Sequence, residues 1–277
     1  MTAAIIWLRR DLRLSDNPAL SQAVDAGYTP IPLYIHNDLE TVWTEGAASR
    51  WWLHHSLASL RHSLQQCGSD LLLLQGNPAD LLPRVARQFE ATAVYWNRRY
   101  YKTAIDQDAG LKQTLVKNGI EVKSFNASLL LEPWQHLKKD QTPYRVFTPF
   151  WKALSQRLND SWPLAAPDTL PALPASTMQQ SAQLQTLGLL PGISWDEDFY
   201  SHWQPGEAGA RAHLQDFVED CLLNYSSGRD YPSQAATSRL SPHLHFGEIS
   251  PRQIWTFLRE QSAMRPALET APDSYLR

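Results

Sequence analysis

Ala3-Ala4-Ile5-Ile6-Trp7-Leu8, running into Arg9-Arg10-Asp11-Leu12-Arg13-Leu14-Ser15-Asp16-Asn17-Pro18, sets the fold. The apolar run is short and uninterrupted, the pattern of a strand buried on both faces. Its continuation is a polar loop with three arginines. Taken by itself, that loop reads as a solvated turn. Asn17-Pro18 then pairs a capping side chain with a proline at the first helical position, which predicts a helix to about Gly27.

The same alternation repeats down the chain. Ile31–Ile35 predicts a second strand. Arg50–Gln66 predicts a helix, with Trp51, Leu53, Leu57, Leu60 and Leu64 at helical spacing. Leu71–Leu74, Ala93–Trp96 and Ile120–Phe125 predict three further strands. Between them come a helix opened by Asn77-Pro78 and another over about Ala104–Lys117, ending near Gly119. Strand and helix alternating in this way imply a parallel sheet covered on both faces. No Gly-x-Gly-x-x-Gly follows the first strand, so this is not read as an NAD domain. Asn97-Arg98-Arg99-Tyr100-Tyr101 follows the fourth strand, where open α/β sheets hold their ligands.

From about Asn159 to Pro205 the chain becomes proline-rich, as in a long connector wrapping the surface. Gly206-Glu207 then opens a helix carrying Ala210, Leu214, Phe217 and Leu222. Helices at about 242–246 and 251–262 follow. Thr148-Pro149 reads as one more helix start.

With 277 residues, 43% of them hydrophobic, the chain can hold more than one packed domain. The net charge of −3 means that any nucleic-acid binding must come from a local basic face. Cys67 and Cys221 form neither a disulfide framework nor a metal motif. The N-terminus has no basic leader, and no apolar run is long enough to cross a bilayer. The expectation is a cytoplasmic, reducing compartment, no membrane association and a monomer. The eleven tryptophans are expected in cores and interfaces.

Near the C-terminus stands Tyr225-Ser226-Ser227-Gly228-Arg229-Asp230-Tyr231-Pro232, then Thr237-Ser238-Arg239-Leu240-Ser241-Pro242-His243-Leu244-His245-Phe246-Gly247-Glu248-Ile249-Ser250-Pro251-Arg252. Gly228–Pro232 reads as a turn. Ser241-Pro242 and Ser250-Pro251 each read as a cap followed by the first helical proline. Hydroxyls, one guanidinium and a helix start in succession make a sensible anion site. Ordinary capping by itself accounts for the same local pattern. His243 and His245 are expected as surface or packing residues, and no catalytic acid, base, nucleophile or metal set is apparent.

The order Tyr, Arg, Pro, Thr-Ser-Arg-Leu-Ser, Gly-Glu-Ile-Ser-Pro-Arg resembles the flavin-binding signature of the DNA photolyase/cryptochrome family. Trp7–Asn17 resembles the opening of that family's α/β antenna domain. Pro143–Trp151 resembles its post-antenna segment. The resemblance implies FAD as cofactor, contacted by Tyr225 and by Thr237, Ser238, Arg239, Leu240 and Ser241, the run lying around its phosphates. It implies that Arg229 faces the DNA backbone. The implied fold is a five-stranded parallel Rossmann-like antenna domain over 1–133 and a connector over 134–205. The start of an all-helical FAD-binding domain follows over 206–277.

The implied activity is light-driven electron transfer from reduced FAD to cyclobutane pyrimidine dimers in DNA, with damaged DNA as partner. A cryptochrome-type signalling flavoprotein is the alternative. A third reading, an α/β nucleotide-binding protein with its ligand at Arg9–Asn17, leaves the Tyr225–Arg252 string unexplained. The 97–101 turn implies a second, antenna chromophore. Thr103-Ala104 stands where folate-using members carry Asn-Glu, which counts against folate; a deazaflavin, another flavin or an empty pocket stay open. The chain is expected to be the N-terminal part of such a protein. On that view Ile254, Phe257 and Leu258 would be left exposed, and residues 1–277 alone would hold little FAD and repair nothing.

Overall fold

The computed structural model describes residues 2–37, 44–158 and 162–276. Strands β1 (Ala3–Leu8), β2 (Thr29–His36), β3 (Leu72–Gln75), β4 (Ala91–Asn97) and β5 (Glu121–Phe125) form one sheet in the order β3-β2-β1-β4-β5. Every pairing is parallel. Helices α1 (Pro18–Asp25), α2 (Ala47–Gln66), α3 (Pro78–Gln88) and α4 (Lys102–Lys117) connect them. The asparagines predicted to start α1 and α3 do so: Asn17 accepts from Leu20 N, and Asn77 from Ala79 N.

Successive strand residues point to opposite faces, so β1 feeds two cores. Ala4, Ile6 and Leu8 join α1, α2 and the connector residues Leu170, Leu184 and Leu187. Ile5 and Trp7 join α3 and α4 on the other face. The proline-rich connector also covers the edge of β3: Ala182 N donates to Leu73 O (2.7 Å), and Leu73 N donates to Ser181 Oγ (3.0 Å). An open edge strand is thereby closed.

Helix α5 (Phe147–Ser155) begins one residue ahead of the predicted Thr148 cap, with Val146 at its boundary. Helix α6 (Glu207–Asp216) runs on through a π-helical stretch, Phe217–Cys221. Tyr225–Gly228 is one helical turn, so the turn predicted from Gly228 starts a residue later. Helices α7 (Ser241–Phe246), α8 (Pro251–Met264) and α9 (Ala271–Leu276) complete the chain. Ser250 caps α8 reciprocally with Gln253, as predicted. Ser241 does not cap α7; it already belongs to the helix, and Leu240 is the boundary residue.

Ile254 and Leu258 are 5% and 0% exposed, and Phe257 packs against the same cluster. The expectation that they would be uncovered is therefore corrected. Helix α6, Leu240 and Leu268 already enclose them in a third core.

The arginine loop after β1 is likewise corrected. Arg13 is 1% exposed and Arg9 6%. The Arg13 guanidinium donates to four carbonyls: Ser15 O, Asp16 O, Ala127 O and Gly247 O. Asp16 is fully buried with φ 49°. It receives Arg252 (2.8 Å), Ser250 Oγ (2.5 Å) and the Leu164 amide (3.1 Å). Glu207 receives the Leu14 amide at 2.9 Å. The loop is a seam that fastens the sheet to α6–α8. At Gly247, φ is +70° and an added Cβ would lie 2.0 Å from Arg10 O, so only glycine fits. Burial pulls both guanidiniums below their ordinary values, Arg99 adding to the effect at Arg9; Asp16 opposes it at Arg13 and Asp108 at Arg9.

Candidate cofactor and nucleic-acid site

The Thr237–Ser241 run is placed by its one apolar member. Leu240 is 1% exposed in the third core, so any contact it makes to a ligand comes from its backbone. Thr237 and Ser241 are exposed, and among the described residues their hydroxyls have no protein hydrogen-bond partner. Arg239 adopts φ 54°, the left-handed region rarely entered by a residue with a side chain. Such strain persists only where the surroundings hold it. Here the guanidinium lies over Trp203, 4.2 Å from the ring centroid, and donates to His202 O (3.4 Å).

Tyr225 stands beside the run. Its ring meets Phe217 and Tyr275 edge-on at 5.7 and 5.1 Å. Tyr275 donates its hydroxyl to Ser238 Oγ (2.9 Å), and burial pushes its phenol up. Exposed hydroxyls, an aromatic wall and a surface guanidinium suit a phosphate-bearing aromatic ligand. Arg229 is on the same side of the chain, its guanidinium 5.6 Å from the Tyr225 ring and half exposed. Its nearest carboxylate, Asp230, is 3.8 Å away and mostly exposed, so the pair is weak and the cation stays available. Tyr225, Arg229 and Ser238 are linked through the Tyr225 ring and Tyr275, whereas Arg239 turns to Trp203 and Leu240 enters the core.

Behind the run lies a buried polar chain that the sequence reading missed. Glu248 and His243 are both 0% exposed and bonded to each other at 2.5 Å. Glu248 also accepts from Trp52 Nε1 (3.0 Å), and His243 Nε2 meets His213 Nδ1 (2.9 Å). Trp203 stacks edge-on against His213 and so links this chain to Arg239. Burial, then the neighbouring His243 and Arg239, hold His213 below the usual imidazole value. Thus His243 is a packing histidine as expected, but a hydrogen-bonded one at the seam with α2. Nothing local signals this, since Trp52 lies far away in the sequence.

A second hollow opens where the strand order reverses at β1, the expected ligand position in such sheets. It measures about 440 Å³ and is lined by Arg9, Arg10, Arg50, Arg99, Tyr34 and Tyr101, among others. Among the described residues Arg9 Nε and Arg10 Nη1 are buried without a hydrogen-bond partner. Arg10 is also paired with Glu45 and lies over Phe246 at 4.8 Å. The cationic, aromatic lining suits an anionic planar ligand. The 97–101 turn named from the sequence contributes Arg99 and Tyr101, the β1 and β2 ends Arg9, Arg10 and Tyr34, and α2 Arg50, with Glu45 as a carboxylate on the wall. Asn97 instead closes the crevice, donating to Asp11 and Asn17 at 2.7 Å each.

Comparison with known proteins identifies the family. The family model described as DNA photolyase matches residues 4–174. A deoxyribodipyrimidine photo-lyase of Agrobacterium fabrum is 44% identical over 252 residues, 91% of this chain and 52% of its own length. Cryptochrome-2 of Arabidopsis thaliana is 35% identical over 260 residues, 92% of this chain and 42% of its own length. Among solved structures, a bacterial class III photolyase from Agrobacterium tumefaciens matches with TM-score 0.87 and 42% identity. That match covers 95% of this chain and 54% of the other. The chain spans about half the length of the curated relatives it matches. Among the described residues, no helix is long and apolar enough to cross a membrane.

Proposed function

This chain belongs to the DNA photolyase family, and we propose that it supplies the antenna domain and one wall of the flavin site of a light-driven DNA-repair enzyme. In this reading residues 1–133 form the antenna domain, 134–205 the connector and 206–277 the start of the FAD-binding domain. The observation that carries it is the exposed Thr237–Ser241 run beside Tyr225, with Arg239 held in a left-handed conformation over Trp203. Thr237, Ser238, Arg239 and Ser241 would hold a reduced flavin there, which would lend an excited electron to a cyclobutane pyrimidine dimer and recover it once the ring has opened.

The residues of this chain do the positioning. Arg239 and the hydroxyls of Thr237, Ser238 and Ser241 hold the phosphates, and Tyr225 packs against the ligand. Arg229 meets the DNA backbone. Extrusion of a dimer from the duplex is cheap because damaged pairs stack poorly. The hollow at the β1 and β2 ends holds an antenna chromophore, with Arg50 on its wall to answer a negative charge, since Arg9 is bonded to Asp108 and Asn97 O and Arg10 to Glu45. The enzyme works as a monomer in the cytoplasm.

A ligand pocket normally buries most of its ligand, and the run is a single wall. Residues 1–277 alone are therefore expected to retain little FAD and to repair no dimers. The decisive experiment joins residues 1–277 to the remaining half of the Agrobacterium fabrum relative. FAD retained through dialysis, with light-dependent loss of dimers from an oligonucleotide, is the expected result. A folded chimera without flavin would overturn the reading. Flavin without repair would favour the cryptochrome-type signalling role, which the 35% identity to cryptochrome-2 keeps in view.

A further inference from the structure

The end of the connector reaches the flavin motif through one side chain. Trp203 follows the one-turn helix Phe199–His202, and its amide donates to Phe199 O (2.9 Å). The next residue is held as closely. Gly209 of α6 passes so near it that an added Cβ would lie 1.7 Å from Gln204 O. The Trp203 ring itself is half-buried against the first core.

Two rings meet it edge-on, Trp52 of α2 at 5.3 Å and His213 of α6 at 5.7 Å. The same two are joined to each other by hydrogen bonds, from Trp52 to Glu248, from Glu248 to His243 and from His243 to His213. The contacts of Trp203 thus close on themselves. A buried polar network whose members are all bonded is rigid, so the ring has little freedom to tilt.

Arg239 lies against that ring, its guanidinium 4.2 Å from the centroid. On one side of it Leu240 is drawn into the third core, and on the other Ser238 is bonded to Tyr275. Among the described residues Arg239 has no ion-pair partner. A guanidinium stacked on a ring keeps its N–H groups at its edge, where a phosphate can reach them. Only one is engaged, in the 3.4 Å bond to His202 O. Ordering a loose arginine at the moment of binding weakens affinity, and a ring that orders it beforehand removes that cost.

We propose that Trp203 is a positioning residue for the cofactor: its ring, fixed by Trp52 and His213, presents the Arg239 guanidinium to the flavin's phosphates. The proposal rests on the flavin reading above. It adds that the antenna domain, through Trp52, and the connector, through Trp203, set the cation of a site whose hydroxyls come from the helical segment.

The test is a double-mutant cycle in the chimera with the Agrobacterium fabrum half, read as flavin dissociation constants from equilibrium dialysis. Trp203→Leu keeps apolar bulk but removes the ring, and should weaken flavin binding about fivefold. Trp203→Phe restores a ring and should lie within about twofold of the parent. On an Arg239→Ala background, Trp203→Leu should weaken binding by less than about twofold more, because the ring acts only through the guanidinium. A purely structural tryptophan would weaken binding by the same factor with Arg239 present or absent, and that result overturns the proposal. Trp203→Phe as weak as Trp203→Leu does the same. If Arg239→Ala weakens flavin binding while Trp203→Leu leaves it unchanged, the positioning role is overturned and the flavin reading stands. A folded parent chimera that takes up no flavin overturns both.

Discussion

Asp11–Asn17 and Tyr225–Ser241 both mix arginine, hydroxyls and aspartate, yet one is sealed between two cores and the other faces solvent. In the first, Arg13 spends its donors on four backbone carbonyls and sits near the buried carboxylate of Asp16. In the second, Arg239 is braced by a ring and one weak hydrogen bond, with most of its donors left over. Composition does not tell a structural arginine from a binding one. What separates them is whether acceptors from distant segments have already used the guanidinium's donors.

If that contrast is right, the largest effect belongs to the seam. Arg13→Ala should destabilise residues 1–277 by about 3–5 kcal/mol, because Asp16 and four carbonyls lose a buried partner. Arg13→Lys should rescue little, since an ammonium cannot reproduce the planar fork. Chemical denaturation measures both, and a loss under about 1 kcal/mol would return the loop to an ordinary turn. Gly247→Ala comes next, at about 3 kcal/mol, from its positive φ and the overlap with Arg10 O.

At the exposed site the expectation reverses. Arg239→Ala should leave the unfolding free energy within about 0.5 kcal/mol of the parent. In the chimera with the Agrobacterium half it should weaken flavin retention by about 1.5–3 kcal/mol. A variant that keeps its full flavin complement through dialysis would make Arg239 a plain surface residue. Arg229→Ala should lower affinity for damaged and undamaged duplex alike and flatten the salt slope by about one unit. Loss on damaged DNA only, with the slope intact, would rule out a phosphate contact.

The smallest effect lies between the two regions, at His213. Burial, then His243 and Arg239, lower its folded pKa. The unfolded chain therefore binds the proton more readily. The stability this contributes is complete above the unfolded value near 6.5 and is lost as pH falls through the folded value. His54, His55 and His245 are lowered chiefly by burial and act in the same direction. Denaturation midpoints should fall from pH 7 towards pH 5, and His213→Gln should make that fall shallower. An unchanged slope would mean that His213 does not titrate within the chain of contacts to Glu248.

The local elements follow from short-range patterns along the chain. Strand β1 was readable because a short apolar run can be satisfied only between two covered faces. Asn17, Asn77 and Ser250 fixed helix starts because a cap acts within a few residues of itself. The order of Tyr225, Arg229 and the Thr237–Ser241 run likewise named a candidate site before any coordinates. What those elements face depends on contacts between distant segments. Arg13 meets Gly247, Trp52 meets Glu248, and Ile254 and Leu258 meet α6, through contacts between segments whose separation along the chain leaves no periodic trace. Burial converted the arginine loop into a seam and closed the third core. The same physics left Thr237, Arg239 and Ser241 in water, because Leu240 between them is the residue that the core takes in.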